Sequence, residues 1–249
     1  MSKLKKRKEE KEMKNQKGFT MLELVIVLTV IVFLLGTIAI VGLPLIEKAK
    51  IWTAKHDVRA IATAIYAFRG DVKEWPIWKD GAVCTPAGGG DSSARAYAVL
   101  KSADGTHPAH NEVHALSSEW GDANSDTLEN QLVLGAPGGD ITKRYSDRSG
   151  TTTSPFRGPY LSNNFILPGP TGTYLSKDPW GNKYLVNIKY LWPEHLAHGT
   201  PNREIVFVIS AGPNETLETD FSQDLLQGGP GGGKFTIRGD DIVYVIGAN

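Results

Sequence analysis

The strongest constraint on this chain is residues 24–46, LVIVLTVIVFLLGTIAIVGLPLI, a run of 23 residues without one charged side chain. At about 1.5 Å per residue a helix of that length crosses a hydrocarbon core about 30 Å thick. The run is apolar on every face, so a helix built from it has no wet side, and a membrane span is predicted in place of a buried core helix. Ahead of it, residues 1–18 hold eight Lys/Arg and three Glu, a net of +5. A basic flank stays in the cytoplasm, which puts everything beyond the span on the far side of the membrane. The whole chain has 27 basic and 27 acidic residues, so residues 19–249 carry 19 and 24, a net of −5. That balance argues against a nucleic-acid partner, because phosphate rewards basic surfaces.

A secretory signal has its apolar region before the cleavage site and is lost whole. Here a polar stretch ending Asn15-Gln16-Lys17-Gly18 comes directly before Phe19-Thr20-Met21-Leu22-Glu23. A cut after Gly18 therefore leaves the apolar helix on the mature chain. This junction resembles the type IV pilin family: a short basic leader ending in Gly, then Phe, then a Glu five residues into the mature protein. The resemblance implies cleavage between Gly18 and Phe19 by a prepilin peptidase and N-methylation of Phe19. It also implies that Glu23 pairs with the new amine of a neighbouring subunit's first residue during assembly. A carboxylate at the edge of a membrane helix is costly unless paired, which agrees with that role. The alternative is that Glu23 only occupies the headgroup layer, where the helix dipole also favours it. Gly36 and Pro44 keep the spacing of a family Gly/Pro pair, displaced by about one helical turn, and Gly42 with Pro44 predicts a bend or melted stretch.

Beyond Pro44, Ile51, Ala54, Val58, Ile61, Ile65 and Phe68 recur at steps of three and four, an amphipathic helix continuing from the span and ending near Gly70. Residues 71–170 are expected to be largely an insertion, with short helical patterns at 92–102 and 125–134. Segments 183–191, 204–209, 234–237 and 242–246 read as strands between Pro/Gly/Asn turns. The expected class is α+β: a long N-terminal helix, half membrane-spanning and half amphipathic, packed on a small antiparallel sheet, as in the pilin fold. The division is a leader at 1–18, a membrane and assembly helix at 19–46, and a periplasmic head at 47–249.

Three ordered stretches narrow the resemblance: Asp178-Pro179-Trp180-Gly181-Asn182, Ser210-Ala211-Gly212-Pro213-Asn214 and Asp240-Asp241-Ile242. They look like signatures of the major pseudopilins, the G-type subunits of type II secretion systems. The resemblance implies a structural subunit, inserted in the inner membrane, polymerising with itself into a helical periplasmic filament that helps folded proteins leave through the outer membrane. Minor pseudopilins, an inner-membrane assembly platform and a separate ATPase would be its partners. The rival is a surface type IV pilin or minor pilin whose 71–170 segment adheres to a target. Ser210, Asn214, Asp240 and Asp241 supply hard oxygens that suit calcium; the family has a calcium here, though with an Asp where this chain has Asn214. Asp220, Asp224, Glu215 and Glu218 stand in the same region as replacements, and a solvated turn is the plain alternative.

Other groupings carry less. His107, His110 and His114 with Glu112 are too loosely spaced for a metal cluster and read as solvated histidines. Arg-Gly-Asp occurs at 69–71 and 238–240 with simpler explanations in both places, and Trp180 reads as a turn aromatic. Cys84, the single cysteine, excludes an internal disulfide. No nucleophile elbow, zinc-protease or phosphate-loop motif is present, and an enzymatic role is not expected.

Overall fold

The computed structural model describes residues 19–81, 94–110, 120–121, 123–145, 156–161, 166–169, 172–175, 177–192, 205–222 and 235–246. The chain divides into two units, Met1–Lys48 and Ala49–Asn249.

In the first unit the described residues are almost wholly helix α1, which spans Met21–Val72 and runs on into the second unit. Thr20 begins it: its Oγ1 accepts from the Glu23 amide at 3.2 Å and its carbonyl accepts from Leu24, satisfying donors that a helix start leaves free. Along the apolar run the Thr29 and Thr37 hydroxyls donate back to the carbonyls of Val25 and Leu34, so these polar side chains bring no unpaired group into the span. Of the expected bend or melted stretch at Gly42 and Pro44, melting does not occur: α1 continues as helix through both. A proline removes one backbone bond, and in an apolar medium every further broken bond costs several kcal/mol.

The second unit is built on the C-terminal part of α1. Ala54, Val58, Ile61, Ala62, Ile65, Phe68 and Val72 form its buried face, as the periodicity predicts. The helix ends at Val72, two residues beyond the expected stop at Gly70, because Lys73 takes the left-handed conformation (φ 63°) that closes it. Its amide donates to the Arg69 carbonyl at 2.9 Å. A side chain there is strained while glycine is not. Lys73→Gly is therefore expected to stabilise the unit by about 0.5–1 kcal/mol, read as a higher Tm.

Nine strands are described: β1 Val99–Lys101, β2 Ala109–His110, β3 Ser125–Thr127, β4 Ile166–Gly169, β5 Gly172–Leu175, β6 Leu185–Val186, β7 Val206–Ser210, β8 Thr216–Leu217 and β9 Ile242–Ile246. Five form the main sheet in the order β3-β1-β6-β7-β9, while β2 pairs with β8 and β4 with β5. β1 lies parallel to β3 and the other pairings of the main sheet are antiparallel, so the sheet is mixed where a purely antiparallel one was expected. The α+β class stands. The 71–170 segment supplies β1 and β3 to this sheet and Trp75, Ile77, Trp78, Leu100, Trp120, Leu128 and Leu132 to the core.

Several local expectations change. The 92–102 pattern holds strand β1. The 125–134 pattern begins as β3 and then becomes a π-helix at Asn130–Leu134. Segment 183–191 is two residues of β6 followed by a 3-10 turn at Ile188–Leu191, because buried Asn187 turns its side chain to other backbone. Its Nδ2 donates to the carbonyls of Ile205 and Phe221, and its Oδ1 accepts from Phe207. Residues 235–238 make no strand; Lys234 lies outside the described residues.

Two buried carboxylates tie the layers. The Tyr184 hydroxyl donates to Asp57 Oδ2 at 2.7 Å, fixing α1 against the sheet. Asp126 accepts from the Thr127 and Gly138 amides and from Asn130 and Gln131 side chains. A buried charge is tolerated when its oxygens are satisfied in this way.

Candidate functional site

Two places gather the sequence-derived site residues. The first is the start of α1. Phe19 is exposed, Gly18 lies outside the described residues, and Glu23 sits in the first helical turn. The Glu23 carboxylate has no cation beside it among the described residues. The apolar helix that follows is exposed from Leu24 through Ile38. Among the described residues α1 is one helix long and apolar enough to cross a membrane.

The second place is a set of loops at the ends of β7, β8 and β9. Asp178 is buried, with Oδ1 accepting from the amides of Trp180 (3.0 Å) and Asn182 (2.7 Å). Its Oδ2 accepts from the Ser210 hydroxyl at 2.7 Å. Burial pushes the Asp178 carboxyl upward from the usual range, against the downward pull of these hydrogen bonds. Trp180 packs partly buried against the core, in agreement with a turn aromatic.

From Ser210 the chain turns at Gly212, whose φ is +70°; a Cβ there would stand 2.3 Å from the Asp240 carbonyl oxygen. That close approach needs glycine. It brings Asn214 to Asp240, the Asn214 amide donating to Asp240 Oδ2 at 3.0 Å. The Asn214 side-chain oxygen accepts from the Thr216 amide at 2.9 Å. Asp241, 7% exposed, accepts at Oδ2 from the amides of Glu218 (3.0 Å) and Thr219 (2.6 Å). Burial pushes the Asp241 carboxyl up to about 6, and the neighbouring Glu218 charge adds to the rise.

Three buried carboxylate oxygens in these loops, Glu218 Oε2, Asp240 Oδ1 and Asp241 Oδ1, have no hydrogen-bond partner among the described residues. Glu218 lies so close over Gly239 that a Cβ on that glycine would overlap its carboxylate. Orphaned, buried, hard oxygens are the donor chemistry a calcium ion takes. No three His, Cys, Asp or Glu side chains stand as a ready cage among the described residues, so carbonyl oxygens have to share any such shell. Glu218 is the residue sequence reasoning underplayed; its only signal was its place in an acidic loop before Asp240.

The remaining groupings resolve simply. His107 sets its ring nitrogens against the carbonyls of Pro108 (3.0 Å) and Trp120 (3.1 Å). His110 is exposed on β2, and Glu112, His114 and Cys84 lie outside the described residues. In the first Arg-Gly-Asp, Arg69 covers the Trp75 ring at 4.0 Å and Asp71 accepts from Tyr160. In the second, Arg238 pairs with Asp220 at 2.9 Å.

One family description, the prokaryotic N-terminal methylation motif, matches residues 13–39. No curated protein and no solved structure matches the chain. The matched stretch contains Gly18, Phe19, Glu23 and residues 24–39 of the apolar run, and it supports a type IV pilin-like protein. Motif and apolar helix together fit a single-pass, membrane-anchored chain. The motif implies processing by a prepilin peptidase and assembly into a polymer, and its family is structural, not enzymatic.

Proposed function

We propose that this chain is a structural subunit of a type II secretion pseudopilus, a periplasmic filament that helps move folded proteins across the outer membrane. The observation that carries the reading is the meeting of three separated stretches: Ser210 bonds to Asp178, and Asn214 bonds to Asp240. Stretches resembling pseudopilin signatures are thus tied into one corner by their own side chains. Mature chains begin at Phe19, stay anchored by α1 in the inner membrane and carry the globular unit in the periplasm. The exposed Glu23 carboxylate takes its counter-charge from the α-amine of Phe19 in a neighbouring subunit, a heterologous contact that generates a helix and not a closed ring. Minor pseudopilins and an inner-membrane platform complete the assembly.

Calcium belongs to the same reading. Glu218, Asp240 and Asp241, with loop carbonyls near Ser210 and Asn214, would hold it. Its chemistry there is structural: a divalent charge neutralising carboxylates that the fold buries.

The test is deletion of the gene in its own host, complemented with wild type and with Glu23→Gln. Exported proteins stranded in the periplasm, rescued by wild type and not by Glu23→Gln, with mass spectrometry placing the mature terminus at Phe19, is the expected result. Normal secretion together with loss of long surface fibres would make the chain an adhesive or minor pilin instead.

A further inference from the structure

We propose that the groove between the C-terminal part of α1 and residues 160–161 is a binding site for a small monocarboxylate with an apolar body, of the kind of a medium-chain fatty acid. The groove has a volume of about 360 Å³, and every residue that lines it belongs to the second unit. Its shape follows from the sequence of α1. His56, Ala60, Thr63 and Ala67 follow at steps of four, three and four, so one helix face carries mostly small side chains and leaves a depression. Ala64, 2% exposed, forms part of its floor, and Tyr160 and Leu161 close the opposite wall. That wall is held in place: the Tyr160 ring packs edge-on against Phe68 (centroids 5.7 Å apart) and Phe156 (5.2 Å). Ligand sites range over about 300–1,000 Å³, so a groove at the small end takes a single short chain and not a two-chain lipid.

The hydrogen bonds around the groove identify what it lacks. The Thr63 hydroxyl donates to the Arg59 carbonyl at 2.9 Å. The Tyr160 hydroxyl donates to Asp71 Oδ2 at 3.1 Å and accepts from the Arg157 amide at 2.9 Å. His56 Nδ1 lies 3.4 Å from Asp57 Oδ1. Arg59 differs: no carboxylate stands at ion-pair distance from it among the described residues, and its guanidinium lies 5.7 Å from the centre of the Tyr244 ring. A ring face attracts the charge yet leaves the N–H fork to meet a carboxylate.

The groove thus offers one permanent cation at the rim of an apolar trough. Its complement is one carboxylate on an apolar body. A neutral chain would leave the Arg59 fork unmet, and a second polar group would find no partner along Ala60, Ala64, Ala67 and Leu161.

Octanoate is the probe. The mature full chain in phosphatidylcholine nanodiscs is titrated with octanoate labelled with carbon-13 at the carboxyl, and the signal of empty nanodiscs is subtracted. Expected is saturable one-to-one binding read from the carboxyl shift, with 1-octanol competing about tenfold or more weakly because it lacks the charge. Arg59→Ala should lower octanoate affinity to that of octanol and leave octanol unaffected. Ala67→Leu, at an exposed position, should abolish binding of both by filling the trough. Absence of saturable binding above empty nanodiscs overturns the proposal, as does equal affinity for octanoate and octanol, or either variant binding as wild type. A photo-crosslinker at position 60 that captures a second copy of the chain, with or without octanoate, also overturns it and makes the groove a subunit contact. Neither anchor nor filament enters these readouts, so octanoate binding and secretion by the deletion strain fail independently.

Discussion

Asp178→Ala is expected to lower the unfolding free energy of the globular unit by about 3 kcal/mol or more. The carboxylate is the common acceptor for the Trp180 and Asn182 amides and the Ser210 hydroxyl. Its removal leaves those donors in a site that is 2% exposed, and each unsatisfied buried donor costs about 1–3 kcal/mol. Ser210→Ala removes one bond only and should cost about 1 kcal/mol. Asp178→Asn retains an acceptor oxygen and should fall between them. Acidity gives a second readout. Burial raises the folded-state pKa of Asp178 above its unfolded value, so its ionisation weakens the fold, and stability declines as pH rises from the unfolded value through the folded one. Asn carries no such titration, so the pH dependence of Tm should be shallower in Asp178→Asn. Equal Tm values for Asp178→Ala and wild type in denaturant-free scans would show that the corner does not depend on this carboxylate.

Calcium is expected to raise the Tm of the mature chain, with a gain of about 2.7 kcal/mol at a hundredfold excess over Kd, since an ion bound only by the folded state stabilises it by mass action. Glu218→Gln and Asp241→Asn should each lose most of that gain, and Asp240→Ala all of it. The Asp241 carboxyl, raised to about 6, sets the direction with pH. Without calcium, its contribution falls as pH rises from about 4 to 6, because the folded state holds the proton more tightly. With calcium, the ionised form is the ligand, so the gain grows as pH rises through 6. Identical melting in calcium and in chelator across that range would leave Glu218, Asp240 and Asp241 as an acidic turn that holds no ion.

What the sequence made legible follows from the length scale of each signal. The apolar run needs no partner to be recognised, and the buried face of α1 repeats over several turns from Ala54 to Val72. β7 and β9, at five residues each, are long enough to show as apolar runs. β1, β3 and β6 span two or three residues, too few for a period, and their pairing is set by distant chain. Asn187 ends β6 through bonds to Ile205, Phe207 and Phe221, none of which is near it in sequence. The helix end moved because a lysine took the conformation glycine prefers. At the acidic corner the motifs located Asn214, Asp240 and Asp241, yet only folding shows Glu218 over Gly239 and leaves three oxygens unpartnered.

The sheet order also sets a timetable. β7 is buried along its whole length, and its second edge is covered by β9, which comes after every other described strand. Residues 211–241 separate them. At a synthesis rate of about 5–20 residues per second, the apolar edge Val206–Ser210 stays open for about 2–6 s while those residues are made. An unpaired edge of Val, Phe and Ile is a template for the same edge on another chain. A nascent chain therefore passes through a brief sticky stage, and one cut short before Ile242 never leaves it. Holdase capture of nascent chains, and rapid clearance of truncated ones, are the expected consequences of placing the covering strand late in the sequence.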